Sequence, residues 1–279
     1  MSEGDFRIMG VVNVTPDSFS DGGRYLDSAA AIAHGVELES EGASILDVGG
    51  ESTRPGAAPV SEAEELRRVI PVIEGLIEQG SKAQISIDTS KSAVAVRALA
   101  AGASLVNDVT ALRGDPKMAG VVADAGADCC LMHMLGEPRT MQRDPRYGDV
   151  VGDIKGFLEE RTAFAVQAGI ALERILLDPG IGFGKTVEHN LELLRRLDEL
   201  VELGRPVVIG TSRKSFLGRL TGREDPDDRV AATIATNVLA YERGARVFRV
   251  HDVAPVRDAL TVTAATVSAP WKTPTSTTK

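Results

Sequence analysis

Short apolar segments that end in a polar residue recur along this chain, and stretches with helical spacing separate them. Residues 175–177 form one such segment, which runs into Asp178 and a glycine-rich turn at 180–184. The other segments end in the same way, at Asn13, Asp47, Asp88, Asn107 with Asp108, His133, residues 212–214 and residues 249–251. Strands that alternate with helices are typical of parallel sheets with helical crossovers. Polar residues at all the strand ends, and not at one switch point of an open sheet, predict a (β/α)8 TIM barrel with its active site at the C-terminal ends of the strands.

The length of 279 residues suits one barrel domain, since such barrels typically take about 250 residues. We predict a single catalytic domain over residues 1–267. Residues 268–279 are rich in Thr, Ser and Pro, and we expect them to form a disordered tail. Helices are predicted at about 29–40, from 61 onward, and at about 90–101, 115–125, 149–168, 187–203, 226–243 and 253–265.

Charge and composition restrict the possible partners. The chain has 31 basic and 40 acidic residues, a net charge of −9, which opposes general binding to nucleic acid or to an anionic membrane surface. No apolar run approaches the roughly 20 residues that cross a bilayer, and residues 1–5 are acidic where a signal peptide would be basic. We therefore expect a cytoplasmic protein. The adjacent Cys129 and Cys130 predict two buried, reduced thiols and no disulfide framework.

Three polar strand ends form the first candidate site. Asp88, Asn107 and Asp178 end the third, fourth and sixth strands, so barrel closure brings their side chains together over the central opening. Their carboxylate and amide groups suit a flat heterocycle that carries several N–H donors. The alternative is that each residue caps the following helix or closes a turn.

Basic residues at the last two strand ends form the second candidate site. Four of them lie in the quarter where barrels often bind phosphate: Arg213, Lys214, Arg249 and His251. Such a cluster predicts an anion site in an otherwise acidic chain. Because residues two apart share a face in an extended strand, Ser212 is expected to point the same way as Lys214. The alternative for each basic residue is a solvated salt bridge.

Two connections are long and rich in Gly or Pro, residues 15–27 after the first strand and residues 51–60 after the second. Long loops on the catalytic face of a barrel predict mobile lids. The turn at 180–186 looks like a nucleotide phosphate loop, but Pro179 stands where the Walker pattern needs a glycine and has no N–H to donate. We expect only a tight turn there, and structural roles for His34, His133 and His189.

Three segments resemble the signature motifs of the dihydropteroate synthase family: residues 9–23, 47–56 and 178–185. Residues 86–89, 106–108, 212–214 and 249–252 stand where that family has further motifs, and the likeness extends from about residue 7 to residue 265. It implies a transferase of folate biosynthesis that condenses 6-hydroxymethyl-7,8-dihydropterin diphosphate with 4-aminobenzoate, giving 7,8-dihydropteroate and diphosphate. It also implies a homodimer that is inhibited by sulfonamides, which mimic 4-aminobenzoate.

The resemblance also assigns site residues. The pterin would be held by Asp88, Asn107, Asp178 and Lys214. The diphosphate would be held by Arg249 and His251 with Asn13, which would also ligate Mg2+, the cofactor implied. Fixed cations and a metal ion suit the departure of a diphosphate, and no general base or covalent nucleophile is needed. The residues taken as catalytic are Lys214, Arg249, His251, Asp88 and Asp178.

The two long loops complete the implied site. Residues on both loops would close over the diphosphate and, with residues of the barrel, form the 4-aminobenzoate pocket. The loop residues are Phe19 and Asp21 on the first loop and Thr53 and Arg54 on the second. The barrel residues of this pocket are Phe183, Lys214 and Ser215.

Two other functions share the barrel and the pterin carboxylates. A methyltetrahydrofolate:corrinoid methyltransferase would lack the loop at 51–56 and the basic cluster at 212–214 and 249–251, and both are present here. A non-catalytic pterin-binding paralogue would bind the ligand without releasing diphosphate. A purely structural protein would have no reason to place these polar groups on one rim.

Overall fold

A computed structural model describes residues 6–15, 28–52, 57–137 and 140–267. The strands are β1 (Arg7–Asn13), β2 (Ile45–Gly49), β3 (Gln84–Asp88), β4 (Leu105–Asp108), β5 (Asp128–Met132), β6 (Ile175–Asp178), β7 (Val208–Ile209) and β8 (Val247–Val250). The α-helices are α1 (Ser28–Ser40), α2 (Glu62–Glu78), α3 (Ser92–Ala100), α4 (Met118–Ala125), α5 (Val150–Gln167), α6 (Val187–Arg195), α7 (Asp198–Val201), α8 (Ser215–Thr221), α9 (Val230–Glu242) and α10 (Val253–Val267).

All neighbouring strands of the sheet run parallel, in the order β6-β5-β4-β3-β2-β1-β8-β7. The sheet closes where Leu177 of β6 pairs with Val207, just before β7. At this seam the amide of Leu177 donates to the carbonyl of Pro206 at 3.0 Å. The helices pack their apolar faces on the outer side of the sheet, in one large core. The predicted (β/α)8 barrel is confirmed.

The barrel interior is apolar below and polar above. The apolar layer consists of Met9, Ile45, Leu105, Cys130, Leu176, Val208 and Val247. On each even-numbered strand, the residue two positions after the residue of the apolar layer points to the same face and is polar. We call these four side chains the polar floor: Asp47, Asn107, Asp178 and Arg249. The floor lies on the apolar layer, on the side of the C-terminal ends of the strands.

Three helical segments differ from the prediction. The single helix expected at 187–203 is two helices, because Arg196 leaves the helical conformation at φ −109° and ψ 30°. Residues 226–229 form a 3-10 turn before α9. Helix α8 is absent from the prediction. It has seven residues and follows β7, a strand of two residues, so neither element shows a full apolar period.

The two cysteines are buried and free, as predicted. Cys129 packs in the outer core and Cys130 in the barrel interior, which is the alternation expected of a strand. No helix in the described part of the chain is long and apolar enough to cross a membrane. The tail predicted at 268–279 lies outside the described residues.

Candidate active site

Asp47 is the centre of the polar floor. Its side chain is 0% exposed, and Oδ2 accepts from Arg249 Nε at 2.6 Å and from Asn107 Nδ2 at 3.1 Å. Oδ1 accepts from Ser86 Oγ at 2.6 Å. The sequence marks Asp47 as a strand end, but the prediction does not include it in the site. Its place on an even-numbered strand, like that of Asp178, is the signal that identifies it.

Arg249 joins two carboxylates across the barrel. Besides its bond to Asp47, its Nη2 donates to Asp88 Oδ2 at 2.9 Å. Nη1 makes no hydrogen bond within the described part of the chain, so this nitrogen remains for an anionic ligand. Burial opposes the charge of Arg249, but Asp47 and Asp88 outweigh burial and raise its pKa. Burial also raises the pKa of Asp88, against the opposing charge of Arg249.

Asp178 adds a third carboxylate to the site. It is buried, and its Oδ1 accepts from the amide of Gly180 at 2.7 Å. Burial raises the pKa of Asp178, while the Gly180 bond and the charge of Lys214 lower it. The structure therefore brings the predicted strand-end acceptors together. Asn107 and Asp88 are linked through Asp47 and Arg249, and Asp178 lies in the same layer.

Lys214 and Phe183 form one wall of the site. The Lys214 Nζ lies 4.1 Å from the centroid of the Phe183 ring, within the range of a cation–π contact. The ring packs on an apolar cluster formed by Val109, Met132, Met134 and Met141. Methionine side chains adapt to irregular surfaces, so this wall suits a flat ring. Ser215 follows Lys214 at the start of α8 and is exposed.

His251 follows β8 and is tied to the residues after β7. The Ser212 Oγ accepts the backbone N–H of His251 at 3.1 Å and lies 2.9 Å from its Nδ1. Because the hydroxyl oxygen is an acceptor for that N–H, its own proton can go to Nδ1, which leaves the ring proton on Nε2. Burial, with the charges of Arg249 and Arg213, lowers the pKa of His251 to about 3. The neutral ring keeps one N–H donor for an anionic ligand.

Arg213 is not available to the predicted anion cluster. Its guanidinium donates to both carboxylate oxygens of Asp252, at 3.0 and 2.6 Å, and pairs with Asp227. The alternative reading of this residue, a salt bridge, is therefore correct. Its backbone is left-handed, with φ 59°, and β7 has already ended. The extended alternation expected for Ser212 and Lys214 does not apply in such a turn.

The glycine-rich turn after Asp178 approaches its neighbours closely, as predicted. At Gly180, with φ +67°, a Cβ atom would lie 1.9 Å from the carbonyl oxygen of His133. At Gly184, with φ +66°, it would lie 2.6 Å from that of Leu135. Only glycine fits such left-handed positions against backbone atoms. His189 completes the capping box of α6, which is a structural role.

Five predicted residues stand apart from these contacts. Four lie outside the described residues: Phe19, Asp21, Thr53 and Arg54. Asn13 ends β1, and its half-buried side chain makes no hydrogen bond within the described ranges.

The chain matches the pterin binding enzyme family over residues 9–251. A dihydropteroate synthase from Escherichia coli (strain K12) is 47% identical over 263 residues, which cover 94% of this chain and 92% of that protein. A solved structure of Xanthomonas albilineans dihydropteroate synthase with 4-aminobenzoic acid has a TM-score of 0.89 and 53% identity, over 95% of this chain and 94% of that one. Another, in complex with 7,8-dihydropteroate, has a TM-score of 0.86 and 50% identity, with the same coverage.

These matches confirm the resemblance seen in the motifs, and they cover nearly the whole of each protein compared. They also exclude a likeness limited to the fold, because identities of 47–53% far exceed what a shared barrel alone produces. The chain therefore belongs to the dihydropteroate synthase family of pterin-binding enzymes.

Proposed function

We propose that this protein condenses 6-hydroxymethyl-7,8-dihydropterin diphosphate with 4-aminobenzoate, giving 7,8-dihydropteroate and diphosphate. The observation that carries the proposal is the polar floor, where buried carboxylates, an amide and a guanidinium converge above an apolar layer. A family relative has been solved with 4-aminobenzoic acid and with 7,8-dihydropteroate bound. The same two compounds are a substrate and the product of the proposed reaction.

The pterin would lie on the floor. The carboxylates of Asp88 and Asp178 would accept its N–H groups, and Asn107 can both donate and accept. Lys214 would donate to an acceptor of the heterocycle, since its ammonium carries only donors. Burial raises the pKa of both aspartates in the free protein. A ligand that supplies N–H donors favours their ionised forms, so binding itself would complete the charge arrangement.

The diphosphate would leave beside β8. The pterin methylene carbon exchanges its bond to a diphosphate oxygen for a bond to the amine nitrogen of 4-aminobenzoate. The electron pair of the broken bond leaves with diphosphate, and the amine proton goes to solvent. Arg249 Nη1 and the neutral His251 are the donors that would stabilise the growing charge. Fixed donors and cations of this kind usually contribute most to such a step.

The 4-aminobenzoate would lie against the wall formed by Phe183 and Lys214, near Ser215 at the start of α8. The ammonium of Lys214 has the charge to pair with its carboxylate, and the Phe183 ring offers an apolar surface to the benzene ring. The loop residues assigned to this pocket, Thr53 and Arg54 with Phe19 and Asp21, remain assigned by the resemblance.

A magnesium ion fits the donor set at the end of β1. Asn13 offers one amide oxygen without a competing hydrogen bond in the described ranges. No group of three or more His, Cys, Asp or Glu residues suited to a metal occurs in the described part of the chain. Mg2+ commonly takes few protein ligands and completes its shell with substrate phosphates and water. Bound there, it would supply positive charge to the diphosphate.

We further propose that residues 1–267 form one catalytic domain, which acts as a cytoplasmic homodimer. The single domain is supported by the barrel, because its sheet closes on itself within the described part of the chain. The proposal of a homodimer rests on the resemblance, and the proposal of a cytoplasmic location rests on the acidic residues at the start of the sequence.

The proposed reaction is tested by release of diphosphate from the purified protein. With the dihydropterin diphosphate and Mg2+, release is expected to depend on 4-aminobenzoate and to match the dihydropteroate formed mole for mole. Chromatography of the product and an enzymatic diphosphate assay measure the two amounts. Tight pterin binding without release would contradict the proposal and favour a non-catalytic paralogue.

Removal of divalent metal is expected to lower the rate of diphosphate release by about tenfold or more, because the metal would neutralise charge on the leaving group. Adding Mg2+ back after EDTA treatment should restore the rate. In the Asn13→Ala variant, the Mg2+ concentration that gives half the maximal rate should rise. Full activity of the wild-type protein in EDTA would contradict the proposed role of Mg2+.

A further inference from the structure

Lys185, which directly follows the glycine-rich turn, is a buried basic residue that none of the roles above uses, and burial lowers its pKa to about 7 against the opposing effect of the Asp178 charge. It is 3% exposed. Its Nζ lies 3.0 Å from His133 Nδ1 and donates to the backbone carbonyl of Phe183 at 3.0 Å. A buried ammonium is costly unless hydrogen bonds satisfy it, so these two contacts fix where Lys185 lies.

One of those contacts leads directly to the substrate wall. The Phe183 ring lies under the Lys214 ammonium and packs on the apolar cluster of Val109, Met132, Met134 and Met141. The backbone carbonyl of Phe183 accepts from Lys185. Phe183 therefore contacts Lys214 through its ring and Lys185 through its backbone.

Other side chains hold the neighbouring residues of the turn. The amide of Gly182 donates to Asn190 Oδ1 at 2.8 Å, and the Tyr147 hydroxyl donates to the carbonyl of Gly184 at 2.8 Å. Within the described ranges, Lys185 is the side chain that bonds the backbone of Phe183. Different side chains therefore bond to Gly182, Phe183 and Gly184, and each of these side chains can be replaced separately.

The partner of Lys185 is suited to accept. Burial and the charges of Lys185 and Arg113 lower the pKa of His133 to about 3, so the ring is neutral. A neutral ring that accepts at Nδ1 carries its proton on Nε2. The ring is packed edge-on against Phe157, with centroids 4.9 Å apart, which fixes the direction of Nδ1.

We propose that Lys185 is a positioning residue for the 4-aminobenzoate pocket: through the Phe183 carbonyl and His133, it sets the Phe183 ring against Lys214. This inference rests on the proposed function. The hydrogen bonds of Lys185 go to His133 and to the Phe183 carbonyl, and its charge also lowers the pKa of Asp178. The effect of Lys185 is on the shape of the wall that Phe183 and Lys214 form. Its loss should therefore weaken the binding of 4-aminobenzoate while the barrel stays folded.

The first test compares two variants that remove a hydrogen bond from adjacent carbonyls of the same turn. Lys185→Met removes the donor to Phe183, and Tyr147→Phe removes the donor to Gly184. We expect Lys185→Met to raise the KM for 4-aminobenzoate about tenfold, the effect of losing one hydrogen bond. Tyr147→Phe should leave that KM within about twofold while lowering the Tm. Equal KM values in Lys185→Met and wild type would overturn the inference.

A second test separates positioning from stability. His133→Phe alone leaves the Lys185 ammonium short of an acceptor and should lower the Tm. Replacing both partners, as in Lys185→Met with His133→Phe, should bring the Tm back toward wild type, because paired apolar replacements are nearly neutral. We expect the KM of this double variant to stay raised, since the Phe183 carbonyl still lacks its donor. Recovery of KM together with Tm would show a merely structural role and overturn the inference.

A third readout uses the wild-type protein alone. Nitrogen NMR shifts of His133 should show the Nε2–H tautomer, and the Nδ1–H tautomer would contradict the bond from Lys185. Failure of the proposed function is distinguishable, because it would appear as absent turnover in the wild-type protein. An active wild type with unchanged KM in both Lys185 variants would overturn only the role of Lys185.

Discussion

Asp178→Asn should reduce kcat/KM for the dihydropterin diphosphate about a hundredfold or more, since two hydrogen bonds to a charged acceptor are at stake. In the structure, Asp178 Oδ1 already accepts from the Gly180 amide. An asparagine has one acceptor oxygen, and its NH2 group would face either the Gly180 amide or an N–H of the heterocycle. One donor would meet another donor in either rotamer. Steady-state kinetics of diphosphate release measures the effect.

The matched control is Asp128→Asn, at the opposite end of the barrel. Asp128 starts β5, where its carboxylate accepts from Gln84 at 2.8 Å and from Arg174 at 3.1 Å. The same exchange of carboxylate for amide should leave kcat/KM within about twofold there, because no substrate group is near the N-terminal ends of the strands. Wild-type kcat/KM in Asp178→Asn would mean that the polar floor does not hold the pterin.

The barrel could be predicted from the sequence because its elements repeat one pattern. Each apolar strand is followed by a polar residue and a helix, and a closed parallel barrel is the arrangement in which all those polar residues reach one face. The prediction fails where the pattern is too short to be seen. The sequence predicts that the seventh strand ends at residues 212–214, but β7 has only two residues and ends at Ile209, and the seven residues of α8 are too few to show a helical period.

The site could be predicted only in part. Asp88, Asn107 and Asp178 follow from their positions, because the C-terminal ends of parallel strands meet at one rim of the barrel. Which of the polar residues bind one another depends on distances across the barrel, which no local pattern contains. Arg213 shows this, since it lies in a left-handed turn after β7 and bonds to Asp252, the residue before α10.

The strand position of Asp47 identifies it as part of the polar floor, but its bonding partners could not be predicted, and its loss should have a large effect. Its partners Arg249, Asn107 and Ser86 lie on three other strands. Asp47→Ala would leave the guanidinium of Arg249 with one carboxylate instead of two. Removing one partner of a buried ion pair typically costs about 3–5 kcal/mol. We expect a loss of that size in the free energy of unfolding, measured by urea denaturation.

Asp47→Ala should also lower kcat/KM by about tenfold to a hundredfold, since a charge-assisted bond that orients Arg249 is lost. The control is Asp108→Ala on β4, whose carboxylate is equally buried but accepts from Thr110 at 2.8 Å and Leu112 at 2.9 Å, in its own turn. Asp108→Ala should destabilise the fold and leave kcat/KM per folded molecule within about twofold. If both variants lose stability but keep kcat/KM, Asp47 supports the barrel and has no part in orienting Arg249. If only Asp47→Ala loses kcat/KM, the orientation of Arg249 depends on a carboxylate beneath it.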